Sequence, residues 1–317
     1  MWMDNEFLQG EMQQIEEQLK KALKTRNKTV QNALIKLQQS GGKRLRPVLT
    51  VLGATFGNYD ASTVIPLAAS LEVIHMATLI HDDIIDDTKL RRGSETLHSM
   101  LGRDVAVYTG DFLFTRAFML IADIAEVKLM KDISKGMAYI CDGEIDQNEQ
   151  RYSKATTVKQ YLKRISGKTA ALFALSLASG GYKTGCSKRI TNKLGVIGKD
   201  IGMAFQIIDD ILDFTGSESK IGKPAFNDVI QGVYTLPVIF ALNSKYKAET
   251  EAALDKMQQD AGNSLKEVLE KAGVIDKARK IAMRYVEKAR SKTLELPDAL
   301  GKEIILEIID QQISRKF

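Results

Sequence analysis

The one periodicity that runs the length of this 317-residue chain is helical. Apolar residues recur at helical spacing in segment after segment, and no segment sustains the alternation that would mark a half-buried strand. Only five prolines (Pro47, Pro66, Pro224, Pro237, Pro297) interrupt the pattern. The chain is therefore predicted to be all-α. Helices are expected at 6–39 with a break near Asn27, then at 43–56, 66–87, 104–125, 128–151, 157–178, 187–214 and 234–242. Four more follow at 247–259, 264–272, 274–294 and 298–313. No linker, low-complexity tract or fixed-period repeat divides them, so residues 1–317 are read as one domain.

Within that background one acidic cluster occurs twice. Asp82-Asp83-Ile84-Ile85-Asp86 and Asp209-Asp210-Ile211-Leu212-Asp213 both read Asp-Asp-x-x-Asp in apolar, helical surroundings. Residues four apart on a helix share a face, about 6 Å from one another. Asp82 and Asp86 thus form one pair, and Asp209 and Asp213 another. Carboxylates among isoleucines are costly to desolvate unless a cation meets them. As hard oxygen ligands they suit Mg²⁺, which is commonly held by one or two carboxylates together with substrate phosphates. A solvated acidic face is the plain reading of a single copy; two copies with apolar flanks argue against it.

Helical steps back from Asp82 reach Thr78, His75 and Leu71, so a polar head grades into an apolar tail. In the second copy Gly202, Gln206, Asp209 and Asp213 share a stripe, with Ile197, Ile201, Phe205, Ile208 and Leu212 on the core face. A cavity with a charged mouth and a greasy floor is expected, suited to a diphosphate on a hydrocarbon. Gly41-Gly42-Lys43-Arg44-Leu45-Arg46-Pro47 sets cations at a helix start, where backbone N–H groups already favour anions. Its plain reading is a solvated basic turn. Arg91-Arg92 could be mere counter-charge to the aspartates, and Lys168-Thr169 and the segment 220–224 mere surface.

Lys+Arg (45) and Asp+Glu (40) are interspersed at a net charge of +5, which gives no nucleic-acid stripe. No nucleotide-binding glycine loop of Walker or dinucleotide type occurs. Histidine-based hydrolase chemistry around His81 lacks further ligands. Cys141 and Cys186 build no disulfide framework. With no apolar leader and no run of about 18 apolar residues, neither a signal peptide nor a membrane span is expected, and the location is read as cytoplasmic.

In motif content and order the chain resembles the trans-type polyprenyl (isoprenyl) diphosphate synthases. The resemblance spans about 41–242. It rests on the Gly41–Pro47 segment, on HDDIIDDTKLRRG at 81–93, Gly110-Asp111-Phe112-Leu113, Gly167-Lys168-Thr169, GMAFQIIDDILD at 202–213, Gly222-Lys223-Pro224 and Thr235-Leu236-Pro237. It implies a helical bundle around a central cavity, the isoprenoid synthase type I fold. It also implies Mg²⁺-dependent head-to-tail (1'-4) condensation of isopentenyl diphosphate with an allylic diphosphate.

By matching position, Asp82, Asp86 and Asp209 would ligate three Mg²⁺ ions bridging the allylic diphosphate, supported by Asp83, Asp210 and Asp213. Arg91, Lys168 and Lys223 would hold that diphosphate. Lys43, Arg46, His75 and Arg92 would bind isopentenyl diphosphate, and Thr169 and Gln206 would lie beside the developing carbocation. Val233 departs from the pattern, standing where many members carry a lysine, so one diphosphate contact is expected to be missing.

Short-chain members place aromatic rings four and five residues before the first aspartate. Here Thr78 and Ala77 are small, with Ile74 and Leu71 further down. Since a helix rises about 5.4 Å per turn, this implies an all-trans product longer than farnesyl diphosphate, geranylgeranyl or beyond. A bacterial medium- or long-chain enzyme fits, such as the catalytic subunit of a hexaprenyl or heptaprenyl diphosphate synthase. The assembly implied is a homodimer, or a heterodimer with a small regulatory subunit. Two rivals stand beside this reading. A class I terpene synthase would pair one Asp-rich motif with an Asn-Asp-type motif. A non-catalytic helical subunit would have degenerate aspartates. Neither pattern is present.

Overall fold

The computed structural model describes residues 4–39, 42–91, 93–215, 226–260 and 262–314. Gly41, Arg92 and the Gly222-Lys223-Pro224 segment, all named above, lie outside them. The all-α expectation holds. In chain order the helices are α1 (Glu6–Ala22), α2 (Lys28–Gln39), α3 (Leu45–Ala54), α4 (Ala61–Ile85), α5 (Leu97–Leu101), α6 (Arg103–Ala122), α7 (Val127–Glu149), α8 (Val158–Ile165), α9 (Ala171–Lys183) and α10 (Lys188–Thr215). Then come α11 (Asn227–Ile230), α12 (Leu236–Leu242), α13 (Lys247–Asp255), α14 (Met257–Asp260), α15 (Asn263–Ala272), α16 (Val274–Leu294) and α17 (Leu300–Ser314).

Several boundaries differ from the periodicity for local reasons. The break near Asn27 is real, and its carboxamide oxygen accepts from the N–H groups of Thr29 and Val30 to start α2. α4 starts at Ala61 rather than at Pro66. Asp60 accepts from the Ser62 N–H as a helix cap, and that signal prevails over the proline, which sits inside the helix. A two-residue hairpin, Leu90–Arg91 against Ser94–Glu95, interrupts the helices; it is too short to show a period, and Gly93 turns it at φ +77°. The helix expected at 157–178 contains a π-helical turn, Ser166–Ala170, between α8 and α9. α8 itself opens on a reciprocal cap between Thr157 and Gln160.

The chain groups into two compact units. The first comprises Met1–Gly136, Leu172–Gly198 and Ser291–Ile308. Its core includes Leu34, Leu49, Leu52, Leu67, Leu71 and Ile74, all fully buried. The second comprises Met137–Ala171, Lys199–Arg290 and Ile309–Phe317. Its core gathers Tyr161, Met203, Ile207, Ile211, Leu236, Ile239, Leu265 and Ala282 among others. On α10 the expected core positions Ile197, Ile201 and Ile208 are buried, whereas Phe205 and Leu212 are only half-buried. Ile207 and Ile211 are buried as well, because α10 is covered on more than one side.

By length and composition two helices, α4 and α6, could cross a membrane. The apolar window of α4 is 72% buried within the chain, the mark of a core helix; that of α6 is 33% buried. Tyr108 and Met119 on α6 are 73% and 58% exposed.

Candidate active site

In the first unit the acidic cluster falls at the C-terminal end of α4. Asp82 and Asp83 lie in the last turn, Asp86 caps it, and Asp87 follows at φ +47°. The Asp86 N–H donates to the Asp82 carbonyl at 2.8 Å, so Asp86 keeps its place in the last turn. A helix C-terminus carries partial negative charge, and no basic residue of α4 lies in that turn to offset it. Carboxylates gathered there are set against the helix dipole, an arrangement that a bound cation relieves.

The four are not equivalent. Asp83 is buried, and its Oδ1 accepts from Arg91 Nε at 2.7 Å. Burial pushes its carboxyl above the usual range, with Arg91 pulling the other way. Asp82 and Asp86 are half-buried and open to solvent on one side. Arg103 donates to the Ile84 carbonyl at 2.8 Å, and His98 lies 3.6 Å from Asp87. His81 Nε2 sits 3.4 Å from Asp111. A Cβ at Gly110 would come within 2.3 Å of the His81 ring, so the glycine in Gly110-Asp111 is what lets α6 approach α4 here.

The other candidates of this unit lie on α3 and α4. Lys43 is exposed and Arg46 half-buried, with its guanidinium 5.1 Å from the Phe173 ring centroid. His75 is half-buried, and its carbonyl accepts from the Thr78 hydroxyl at 2.8 Å. Ala77, Ile74 and Leu71 are fully buried, while Thr78 is half-buried.

In the second unit Asp209, Asp210 and Asp213 occupy the last two turns of α10, again at a C-terminus without a basic residue in its last turn. Asp209 is exposed, Asp213 buried, and Asp210 almost fully enclosed. Asp210 Oδ2 accepts from the Tyr161 hydroxyl at 2.5 Å and Oδ1 from Gln206 Nε2 at 2.7 Å. Gln206 in turn accepts from the Thr169 hydroxyl at 2.6 Å. Burial and the nearby Asp228 push Asp210 up to about 7, against the two hydrogen bonds that favour its charged form. Arg164 is buried as well, stacks 5.4 Å from the Tyr161 ring, and donates to the Tyr234 carbonyl at 2.8 Å.

Lys168 and Thr169 sit in the π-helical turn, a feature often found at functional sites. Lys168 Nζ pairs with Glu144 of α7 at 2.8 Å. Two glycines allow that approach. A Cβ on Gly143 would stand 2.9 Å from the Lys168 nitrogen, and one on Gly167 would stand 2.9 Å from the Tyr139 carbonyl oxygen. Val233 is buried. Tyr161, Glu144, Arg164 and Asp228 are absent from the sequence reading, since nothing in the local pattern marks them.

Among the described residues, no group of three or more His, Cys, Asp or Glu side chains is arranged to hold a metal ion. The acidic helix ends offer hard oxygen donors of the kind Mg²⁺ takes, as part of a coordination shell that phosphate and water oxygens would complete.

The sequence profile of the family described as polyprenyl synthetase matches residues 27–272. Heptaprenyl diphosphate synthase component 2 of Bacillus subtilis (strain 168) is 35% identical over 312 residues, covering 98% of this chain and 90% of that protein. The crystal structure of heptaprenyl diphosphate synthase from Staphylococcus aureus superposes with a TM-score of 0.91 at 32% identity, covering 98% of both chains. A polyprenyl synthase from Caulobacter crescentus CB15, complexed with calcium and isoprenyl diphosphate, gives 0.92 at 31% identity, covering 98% of this chain and 96% of that one. The chain belongs to the polyprenyl synthetase family, and it is a trans-type prenyltransferase.

Proposed function

We propose that this enzyme joins isopentenyl diphosphate head to tail to an allylic diphosphate and releases an all-trans polyprenyl diphosphate of medium to long chain. The observation that carries the reading is the pair of acidic helix ends, on α4 and α10, each lacking a basic residue in its last turn. Such ends call for cations, and cations are what a diphosphate leaving group needs.

In this reading Asp82, Asp86 and Asp209 ligate Mg²⁺, three ions when the diphosphate is bound, with Asp83, Asp210 and Asp213 in support. Mg²⁺ when bound neutralises the leaving group. The Caulobacter relative, complexed with calcium and isoprenyl diphosphate, supports a divalent-ion, prenyl-diphosphate site. Arg91, Lys168 and Lys223 hold the allylic diphosphate; Lys43, Arg46, His75 and Arg92 hold isopentenyl diphosphate. The hydroxyl of Thr169 and the carboxamide of Gln206 are bonded to each other at 2.6 Å, which supports their standing as a fixed dipole pair beside developing positive charge. Ordering two substrates removes much of the entropic barrier to coupling.

The product length follows from the small residues Thr78 and Ala77 above Ile74 and Leu71, and heptaprenyl synthases among the relatives agree with it. The chain acts as a single catalytic domain in the cytoplasm and as part of a dimer. Tyr108 and Met119, eleven residues apart and so on one side of α6, supply exposed apolar surface of the kind that marks subunit contact. The test is the purified chain alone with Mg²⁺, isopentenyl diphosphate and farnesyl diphosphate, with products sized by chromatography. Chains longer than farnesyl are expected. Turnover by the chain alone shows that no second kind of subunit is needed, and turnover only on adding a small partner identifies a heteromer. No consumption of isopentenyl diphosphate in either case overturns the reading.

A further inference from the structure

Between the two cations of the Gly42–Pro47 segment stands a third that points elsewhere. Arg44 precedes α3 in the left-handed region, at φ 47° and ψ 39°. For a residue with a Cβ this conformation costs roughly 1–2 kcal/mol, so something must hold it there. Its guanidinium is turned inward. Nε donates to Glu16 Oε1 of α1 at 2.8 Å, Nη1 to Glu72 Oε1 of α4 at 2.9 Å, and Nη2 to the Gln38 carbonyl of α2 at 2.8 Å. Gln38 closes the ring by donating to Glu16 Oε2 at 2.7 Å.

The Arg44 and Glu72 side chains are 11% and 6% exposed. Burial works against the arginine's charge, but Glu72 and Glu16 outweigh it and raise its pKa. A buried ion pair of this kind adds little net stability compared with apolar packing, and a role in fixing geometry is the better account of it. The geometry it fixes is specific. Glu72 lies three residues before His75 on α4, and therefore on the same side of that helix. One guanidinium thus ties the segment bearing Lys43 and Arg46 to the stretch of α4 bearing His75.

We propose that Arg44 is the positioning residue of the isopentenyl diphosphate site. Clamped by Glu16, Glu72 and the Gln38 carbonyl, it sets the backbone so that Lys43, Arg46 and His75 meet one diphosphate, and it binds none itself. The inference rests on the assignment of that segment to isopentenyl diphosphate, made above.

The test is steady-state kinetics in both substrates for Arg44→Lys, Glu72→Gln and Glu16→Gln, beside Lys43→Ala and Arg46→Ala. Lysine keeps the charge of Arg44 but cannot reproduce a fork to three acceptors. For the clamp variants the KM for isopentenyl diphosphate should rise about tenfold, near 1.4 kcal/mol. The KM for the allylic diphosphate and kcat should stay within about twofold, and helix content by circular dichroism should be unchanged. Glu16 is 33% exposed, so Glu16→Gln keeps the test alive if Glu72→Gln fails to fold. A selective rise in Lys43→Ala and Arg46→Ala, with none in the clamp variants, overturns the positioning role and leaves the site assignment standing. No selective rise in Lys43→Ala or Arg46→Ala overturns the assignment itself, and the inference with it.

Discussion

The two acidic clusters are the same in letters and different in chemistry. At the end of α4 the middle aspartate, Asp83, is met by a full charge, the guanidinium of Arg91 at 2.7 Å. At the end of α10 its counterpart, Asp210, is met by two neutral donors, Tyr161 and Gln206, and sits near another carboxylate, Asp228. In the first cluster Arg91 offsets part of the burial that raises its acid. In the second, burial and Asp228 push Asp210 up to about 7. What the copies share is the accessible member, half-buried Asp82 and exposed Asp209. The duplicated motif therefore repeats an accessible carboxylate, the proposed ligand, and not its support.

The largest effect should come from the shared members. Asp82→Ala and Asp209→Ala are each expected to cut turnover by about a thousandfold or more, the scale lost when a principal electrostatic stabiliser of a transition state is removed. Helix content by circular dichroism should hold, because each substitution takes one negative charge from the negative end of a helix. Near-normal activity in either variant would break the equivalence of Asp82 and Asp209 and the metal-ion reading with it.

Next comes the function that only the first cluster is expected to have. Below Asp82, α4 continues through Thr78 to Ile74 and Leu71, the stripe assigned to the growing tail. Thr78→Phe should shorten the product by several isoprene units, as read by chromatography of the dephosphorylated chains. Ala77→Phe should also shorten it, at a larger cost in stability, since Ala77 is fully buried whereas Thr78 is half-buried. If both leave the product distribution unchanged, the tail does not run along this helix.

Much of this was legible in the residues. The all-α class, the break at Asn27 and the acidic pairs on helices followed from periodicity and spacing, which are local properties. Less legible were features that depend on what lies across the fold. The π-helical turn at Ser166–Ala170 has no period of its own, and its Gly167 packs closely on Gly143 from a distant part of the sequence. The difference between Asp83 and Asp210 is likewise invisible in Asp-Asp-x-x-Asp, because Arg91 lies eight residues beyond the one and Tyr161 forty-nine residues before the other. The inward turn of Arg44 was hidden for a related reason. In sequence it is one more cation in a basic run, and only Glu16, Glu72 and Gln38 show it to be a clamp.

The smallest effect is on stability, and it separates the two clusters most sharply. Asp210 is raised from 3.8 to about 7, so folding favours its protonated form. That contribution is complete below the unfolded pKa near 4 and is lost as pH rises through about 7. At about 1.4 kcal/mol per unit the full penalty is on the order of 4 kcal/mol. Asp210→Asn keeps the shape and cannot ionise. In metal-free protein it should raise the melting temperature by a few degrees at pH 8 and by less than half as much at pH 5. Burial raises Asp83 too, with Arg91 opposing it, so Asp83→Asn should act in the same direction at pH 8 and by less, since it also removes the Arg91 ion pair. Thermal melts of the two variants at both pH values check this. A shift for Asp83→Asn as large as that for Asp210→Asn would mean that Arg91 and the Tyr161–Gln206 pair serve their aspartates alike, and the contrast between the clusters would fail.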